Sequence, residues 1–116
     1  MAVVYNTTIN QGADWFFNIT YADPNGDPIN ITGDTAACQL RSQPSSPNAV
    51  LTLTTDDGIT IVGAAGEVNL HATAEQTGAI DEGTYFYDVE ITAPGTGIVT
   101  RLVQGQIVVS AEVTRV

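Results

Sequence analysis

Reactive side chains are scarce in this 116-residue chain, and their positions limit the chemistry open to them. There is one histidine (His71), one cysteine (Cys38), three arginines (Arg41, Arg101, Arg115), thirteen acids and no lysine. A histidine acting as general base needs a nucleophile to activate and a group to orient its ring. His71 is out of phase with the apolar Val68 and Leu70, so it faces solvent with neither in view. Cys38 shares an inward phase with Ala36 and Leu40, where a thiol behaves as a small apolar group. A single cysteine makes no internal disulfide and no thiolate zinc site. The lack of lysine removes Schiff-base catalysis. There is no G-x-S-x-G elbow, no Walker sequence and no G-x-G-x-x-G loop. The expectation is no catalytic residue, no cofactor and no enzyme activity.

The acids need a separate reading. Asp23-x-Asn25-x-Asp27, closed by Asp34, has the oxygen-ligand spacing of a calcium loop and is the sharpest metal candidate. Pro28 stands where that loop needs glycine, Asp34 is shorter than the usual bidentate glutamate, and no helix flanks the run. An acidic surface turn without metal is the expectation. Asp56-Asp57 before Gly58 and Asp81-Glu82 before Gly83 read as solvated turn residues. A net charge of -10 and a pI of 4.1 repel phosphate, so neither nucleic acid nor an anionic membrane is an expected partner. The first residues carry no secretory signal, so the acceptor-like triplets at Asn6, Asn18 and Asn30 are discounted. No run approaches the about 20 apolar residues of a membrane-spanning helix.

Strands must position all of these groups. Valine and isoleucine number twenty-two and threonine sixteen, a vocabulary of branched side chains that suits a pleated, half-buried surface. Trp15, Phe17, Ile19 and Tyr21 alternate with Phe16, Asn18 and Thr20. The same period places Trp15, Tyr21 and Tyr87 inward, and Phe16 and Phe86 outward. Ile29 and Ile31 form a short strand ended by Gly33. Ala36, Cys38 and Leu40 form the next, then Ala49, Leu51 and Leu53, then Ile59 and Ile61, then Val68 and Leu70. Residues 72–79 lack alternation and read as one helical turn. Tyr85, Tyr87, Val89 and Ile91 alternate again, and Pro94-Gly95-Thr96-Gly97 turns the chain into a last strand, Ile98 to Val109. That strand changes apolar phase, which predicts a bulge near Gly105.

About seven to nine short strands with regular turn signals predict an all-β antiparallel sandwich in one domain spanning residues 1–116. Asp81-x-Gly83-x-Tyr85 adds a local mark. It has the spacing of a tyrosine corner, in which the hydroxyl bonds upstream backbone, and so points to an immunoglobulin-like sandwich.

Longer stretches carry a resemblance. Gln11-Gly12, Asp27-Pro28-Ile29-Asn30-Ile31-Thr32-Gly33 and Gln39-Leu40-Arg41-Ser42 make up one half. Gly66-Glu67-Val68-Asn69-Leu70, Gly83-Thr84-Tyr85-Phe86-Tyr87-Asp88-Val89-Glu90, Thr100-Arg101-Leu102-Val103-Gln104-Gly105 and Glu112-Val113-Thr114-Arg115 make up the other. The chain resembles small virion proteins of tailed bacteriophages, and is similar to the immunoglobulin-like N-terminal domain of phage baseplate upper proteins. Asn30 and Asp34 depart from the commoner form of their stretch. The resemblance implies a non-enzymatic structural protein of the virion, present in several copies and contacting other virion proteins and copies of itself. Tail, baseplate or fibre attachment is the first expectation and capsid decoration the alternative; a carbohydrate-binding host-recognition module is a further one. Contacts are expected from the ends and from the cations: Val3, Val4, Tyr5, Arg41, Arg101, Val113 and Arg115. Val3, Val4 and Tyr5 either add a strand to a neighbour's sheet or complete their own.

Overall fold

The computed structural model of the protein describes residues 3–113. Its elements are β1 (Val3–Val4), β2 (Thr7–Asn10), β3 (Trp15–Thr20), β4 (Thr35–Arg41), β5 (Leu51–Thr55) and β6 (Gly58–Val62). A 3-10 turn (Gly63–Ala65), β7 (Glu67–Ala72), α1 (Ala74–Gly78), β8 (Gly83–Thr92) and β9 (Val99–Ser110) follow. The fold is all-β. The strands join in the order β1-β9-β8-β4-β5-β6-β7-β3, with β2 also on β9, as one curled sheet whose two arms face each other like a sandwich.

Alternation decides which side chains fill the interior. Ala36, Cys38 and Leu40 of β4, and Tyr85, Tyr87, Val89 and Ile91 of β8, point inward while their neighbours stay half-exposed. One hydrophobic cluster draws on every strand except β1. Ile9, Leu40, Leu53, Ile59, Leu70 and Ile107 are fully buried, each stabilising the fold by roughly 1.5–3 kcal/mol relative to exposure. The turn Asp56-Asp57-Gly58 carries the chain from one arm to the other, with Asp56 N–H bonded to Ile59 O and Thr54 N–H to Asp57 O.

The expected helical turn forms as α1, and its ends explain why. Thr73 Oγ1 accepts from Gln76 N–H and Gln76 Oε1 accepts from Thr73 N–H, a reciprocal cap. Fully buried Thr77 then ties α1 to the β2–β3 turn, donating to Ala13 O and accepting from Gly12 N–H.

Three expectations need correction. The sheet is not antiparallel throughout: β1 and β2 run parallel to β9, with Val3 opposite Val103 and Ile9 opposite Val109. Ile29 and Ile31 form no strand; around them only an isolated bridge, Ala22 to Pro28, is present. Ile31 is nevertheless buried in the core cluster, and its N–H bonds Gly63 O. The bulge lies at Leu102, where Val89 pairs with Val103 but Glu90 with Arg101, leaving Leu102 and Val103 both buried. Gly105 has another role: a Cβ there would collide with Tyr5 O and Asn6 Oδ1, so its bareness admits the β1–β2 junction.

Candidate functional site

Among the described residues the structure brings together one chemistry-bearing pair, and it joins residues far apart in the chain. β3 and β7 pair so that Phe16 lies opposite His71. The two rings stack with centroids 4.4 Å apart and planes 7° from parallel. His71 Nε2 donates to Asp14 Oδ2 at 2.8 Å, and Asp14 Oδ1 accepts from Ala74 N–H at 2.9 Å. Asp14 is therefore held below the ordinary carboxylate pKa, chiefly by the His71 hydrogen bond, against a smaller opposing desolvation. His71 faces solvent as its phase predicts, but it has an orienting carboxylate that the sequence reading did not find. No local pattern could supply it, because Asp14 meets His71 only through the β3–β7 register. Among the described residues no hydroxyl or thiol is hydrogen-bonded to His71.

Cys38 is buried, and desolvation pushes its thiol up to about 12, with Asp88 adding to the effect. That is the reverse of a reactive thiolate. In the Asp23–Asp27 loop, Asp23 Oδ1 accepts from the N–H groups of Asn25 and Asp27, both at 3.0 Å. One oxygen of the candidate ligand set is thus occupied by its own turn. Among the described residues no three His, Cys, Asp or Glu side chains gather, and Asp34 does not join Asp23 and Asp27. At the corner motif, Tyr85 Oη donates to Asp81 O at 2.6 Å, closing Asp81-x-Gly83-x-Tyr85 on itself. Burial raises the Tyr85 pKa.

The outer face of β4, β8 and β9 is the second candidate. It holds both arginines of the described residues. Arg41 Nη1 donates to Ser46 O and its Nη2 to Gln39 Oε1, and no carboxylate of the described residues lies on it. Arg101 Nε lies 3.4 Å from Asp88 and 3.7 Å from Glu90, and its Nη1 donates to Gln104 Oε1. Such exposed pairs contribute little to stability, typically about 0–1 kcal/mol. A shallow groove of about 760 Å³ runs across this face, lined by Arg41, Pro44, Phe86, Asp88, Glu90 and Arg101 among others. Phe86, expected to point out, is half-buried in its floor.

Val3 and Val4 complete their own sheet, on β9. Tyr5 follows them and is 50% exposed, its ring stacked on Phe17 at 5.5 Å. Its N–H bonds Gln104 O, and its carbonyl accepts from buried Tyr87 Oη at 2.6 Å. Burial raises the Tyr87 pKa as well. Trp15 is buried as expected, Tyr21 half-buried, and Phe16 66% exposed. Val113 is exposed; Arg115 lies outside the described residues. Among the described residues no helix is long and apolar enough to cross a membrane.

The geometry defines an all-β protein whose polar side chains work mainly on its own turns and corners. No protein-family model and no curated protein matches the chain.

Proposed function

We propose that the chain is a non-enzymatic structural module of a tailed-bacteriophage virion, an immunoglobulin-like adaptor used in several copies in the tail or baseplate region. The resemblance over nearly the full length motivates the reading. The β4–β8–β9 face carries it: in a chain of net charge -10, the two described arginines, two acids and an aromatic ring share one shallow groove. A mixed-charge face with an apolar floor suits recognition by patch complementarity. Arg41, bound among the described residues to the neutral oxygens of Ser46 and Gln39, is the group there with charge to offer a partner's carboxylate.

Quantitative mass spectrometry of purified particles tests this. Copies in the tens support tail or baseplate attachment, hundreds would place the chain on the head, and none would end the virion reading. Arg41→Glu should fold normally and incorporate poorly; incorporation at the wild-type level would exclude this face as the contact.

A further inference from the structure

The two ends of the curled sheet are finished differently. At one end β1 and β2 lie on β9. At the other, β3 pairs with β7 and with no other strand among the described residues. Tyr21 N–H bonds Gly66 O, so alternation directs the N–H groups of Ile19 and Phe17 toward β7 as well. The N–H and C=O groups of Phe16, Asn18 and Thr20 then point the other way, to the open edge. None of these N–H groups bonds a side chain or backbone carbonyl among the described residues.

Open edges normally carry charges, prolines or bulges that prevent pairing with other chains. β3 reads Trp-Phe-Phe-Asn-Ile-Thr and has none of these. Beside it a groove of about 590 Å³ separates β3 from β1 and β9, lined by Tyr5, Phe17, Ile19, Tyr21 and Leu102 among others. Phe17, Ile19 and Tyr21 are only partly buried against the core. An apolar groove beside unpaired backbone fits an added strand.

Charge identifies the occupant. Thirteen acids make most approaches between two copies repulsive, yet among the described residues no carboxylate lines this groove, and the one ionic side chain lining it is Arg101. β3 is also complementary to itself. Set antiparallel about an axis through Asn18, it places Phe16 opposite Thr20, Phe17 opposite Ile19, Trp15 opposite Tyr21 and Asn18 opposite Asn18. Aromatic residues meet branched or aromatic partners, and no acid meets an acid. Asp14 falls opposite Ala22, and Asp23 opposite Ala13. In this register all three outward-facing positions hydrogen-bond across the axis, whereas a shift by two residues either way loses one of them.

We infer that β3 is a self-association edge, through which two copies of this chain form an antiparallel two-fold dimer centred on Asn18. The inference concerns the isolated chain and stands whether or not the virion reading does.

Sedimentation over a concentration series tests it on the intact protein. Wild type should pass from monomer to dimer. Asn18→Lys and Asn18→Glu should each weaken association about tenfold or more, because like charges then face each other on the axis, and a mixture of the two should dimerise again. Amide exchange needs no variant. Phe16, Asn18 and Thr20 should gain protection as concentration rises, while Phe17 and Ile19 stay protected throughout. A wild type monomeric to about 1 mM overturns the proposal, as do variants that associate like wild type or edge amides indifferent to concentration. Protection of those amides only on adding a different virion protein would assign the edge to that protein and likewise overturn self-association.

Discussion

β9 and β3 lie toward opposite ends of the same sheet, and the chain treats them in opposite ways. β9 is long and central, flanked by β8 on one side and by β1 and β2 on the other; β3 is short and, among the described residues, flanked by a strand on one side only. Near its start the chain covers β9 and then leaves its next strand uncovered. The two ends meet through rings instead of backbone, with Tyr5 stacked on Phe17 and Phe17 edge-on to Tyr87. Backbone pairing therefore supplies stability at the β9 end, and at the β3 end stays available for a partner.

The sharpest way to break this contrast is to strip the covered edge. Deleting residues 1–8 removes β1, half of β2 and the acceptor of the Tyr87 hydroxyl, and uncovers Val103 and Ile107 beneath them. Stability should fall by about 3 kcal/mol or more, read by urea unfolding. A loss under about 1 kcal/mol would mean that β1 and β2 are ornaments on β9. Proline makes the comparison position by position. Val108 pairs with Thr8 on one side and Thr84 on the other, so wherever its N–H points it meets a strand. Val108→Pro should cost several kcal/mol, whereas Asn18→Pro, at an outward-facing edge position, should cost the monomer no more than about 1 kcal/mol.

Much of this architecture was legible because burial alternates along each strand. The inward sets of β3, β4 and β8 could be read from period alone, as could the helical turn, since propensity and capping act over a few residues. The Asp81–Tyr85 corner was legible for the same reason: donor and acceptor are four residues apart. What escaped was set by pairing across the chain. That Val3 lies beside Val103 and Asp14 beside His71 follows from registers between distant segments. No local pattern encodes them. Ile29 and Ile31 misled for a different reason: they have strand-like types and spacing, but their N–H groups go to Tyr21 and Gly63, outside any ladder.

A single hydroxyl tests the bridge between the two ends. Tyr87 Oη donates to Tyr5 O, fixing the residue that crosses to Phe17. Tyr87→Phe keeps the ring and its edge contact and should cost about 1 kcal/mol. Exchange at the Tyr5 amide should quicken with it, because that N–H bonds Gln104 O on the same short segment. Tyr85→Phe should cost about the same yet leave the Tyr5 amide unchanged, since its bond closes a local corner.

The smallest effect lies where β3 meets β7. The Asp14 pKa sits below its ordinary value of 3.8, mainly through the bond from His71. A carboxylate whose pKa is depressed in the folded state contributes stability that is present above its unfolded value. That contribution is lost as pH falls through the folded value. The window therefore lies on the acid side of 3.8, and nothing at neutral pH should change with it. His71→Phe preserves a ring to stack on Phe16 but removes Nε2, so the Asp14 carboxyl should titrate closer to 3.8 by carbon-detected NMR. Phe16→Ala removes the stacking ring and leaves the hydrogen bond, so the Asp14 titration should hold. If Phe16→Ala shifts Asp14 as far as His71→Phe does, then the exposed ring of the open edge, and not the register of β3 on β7, is what holds His71 against Asp14.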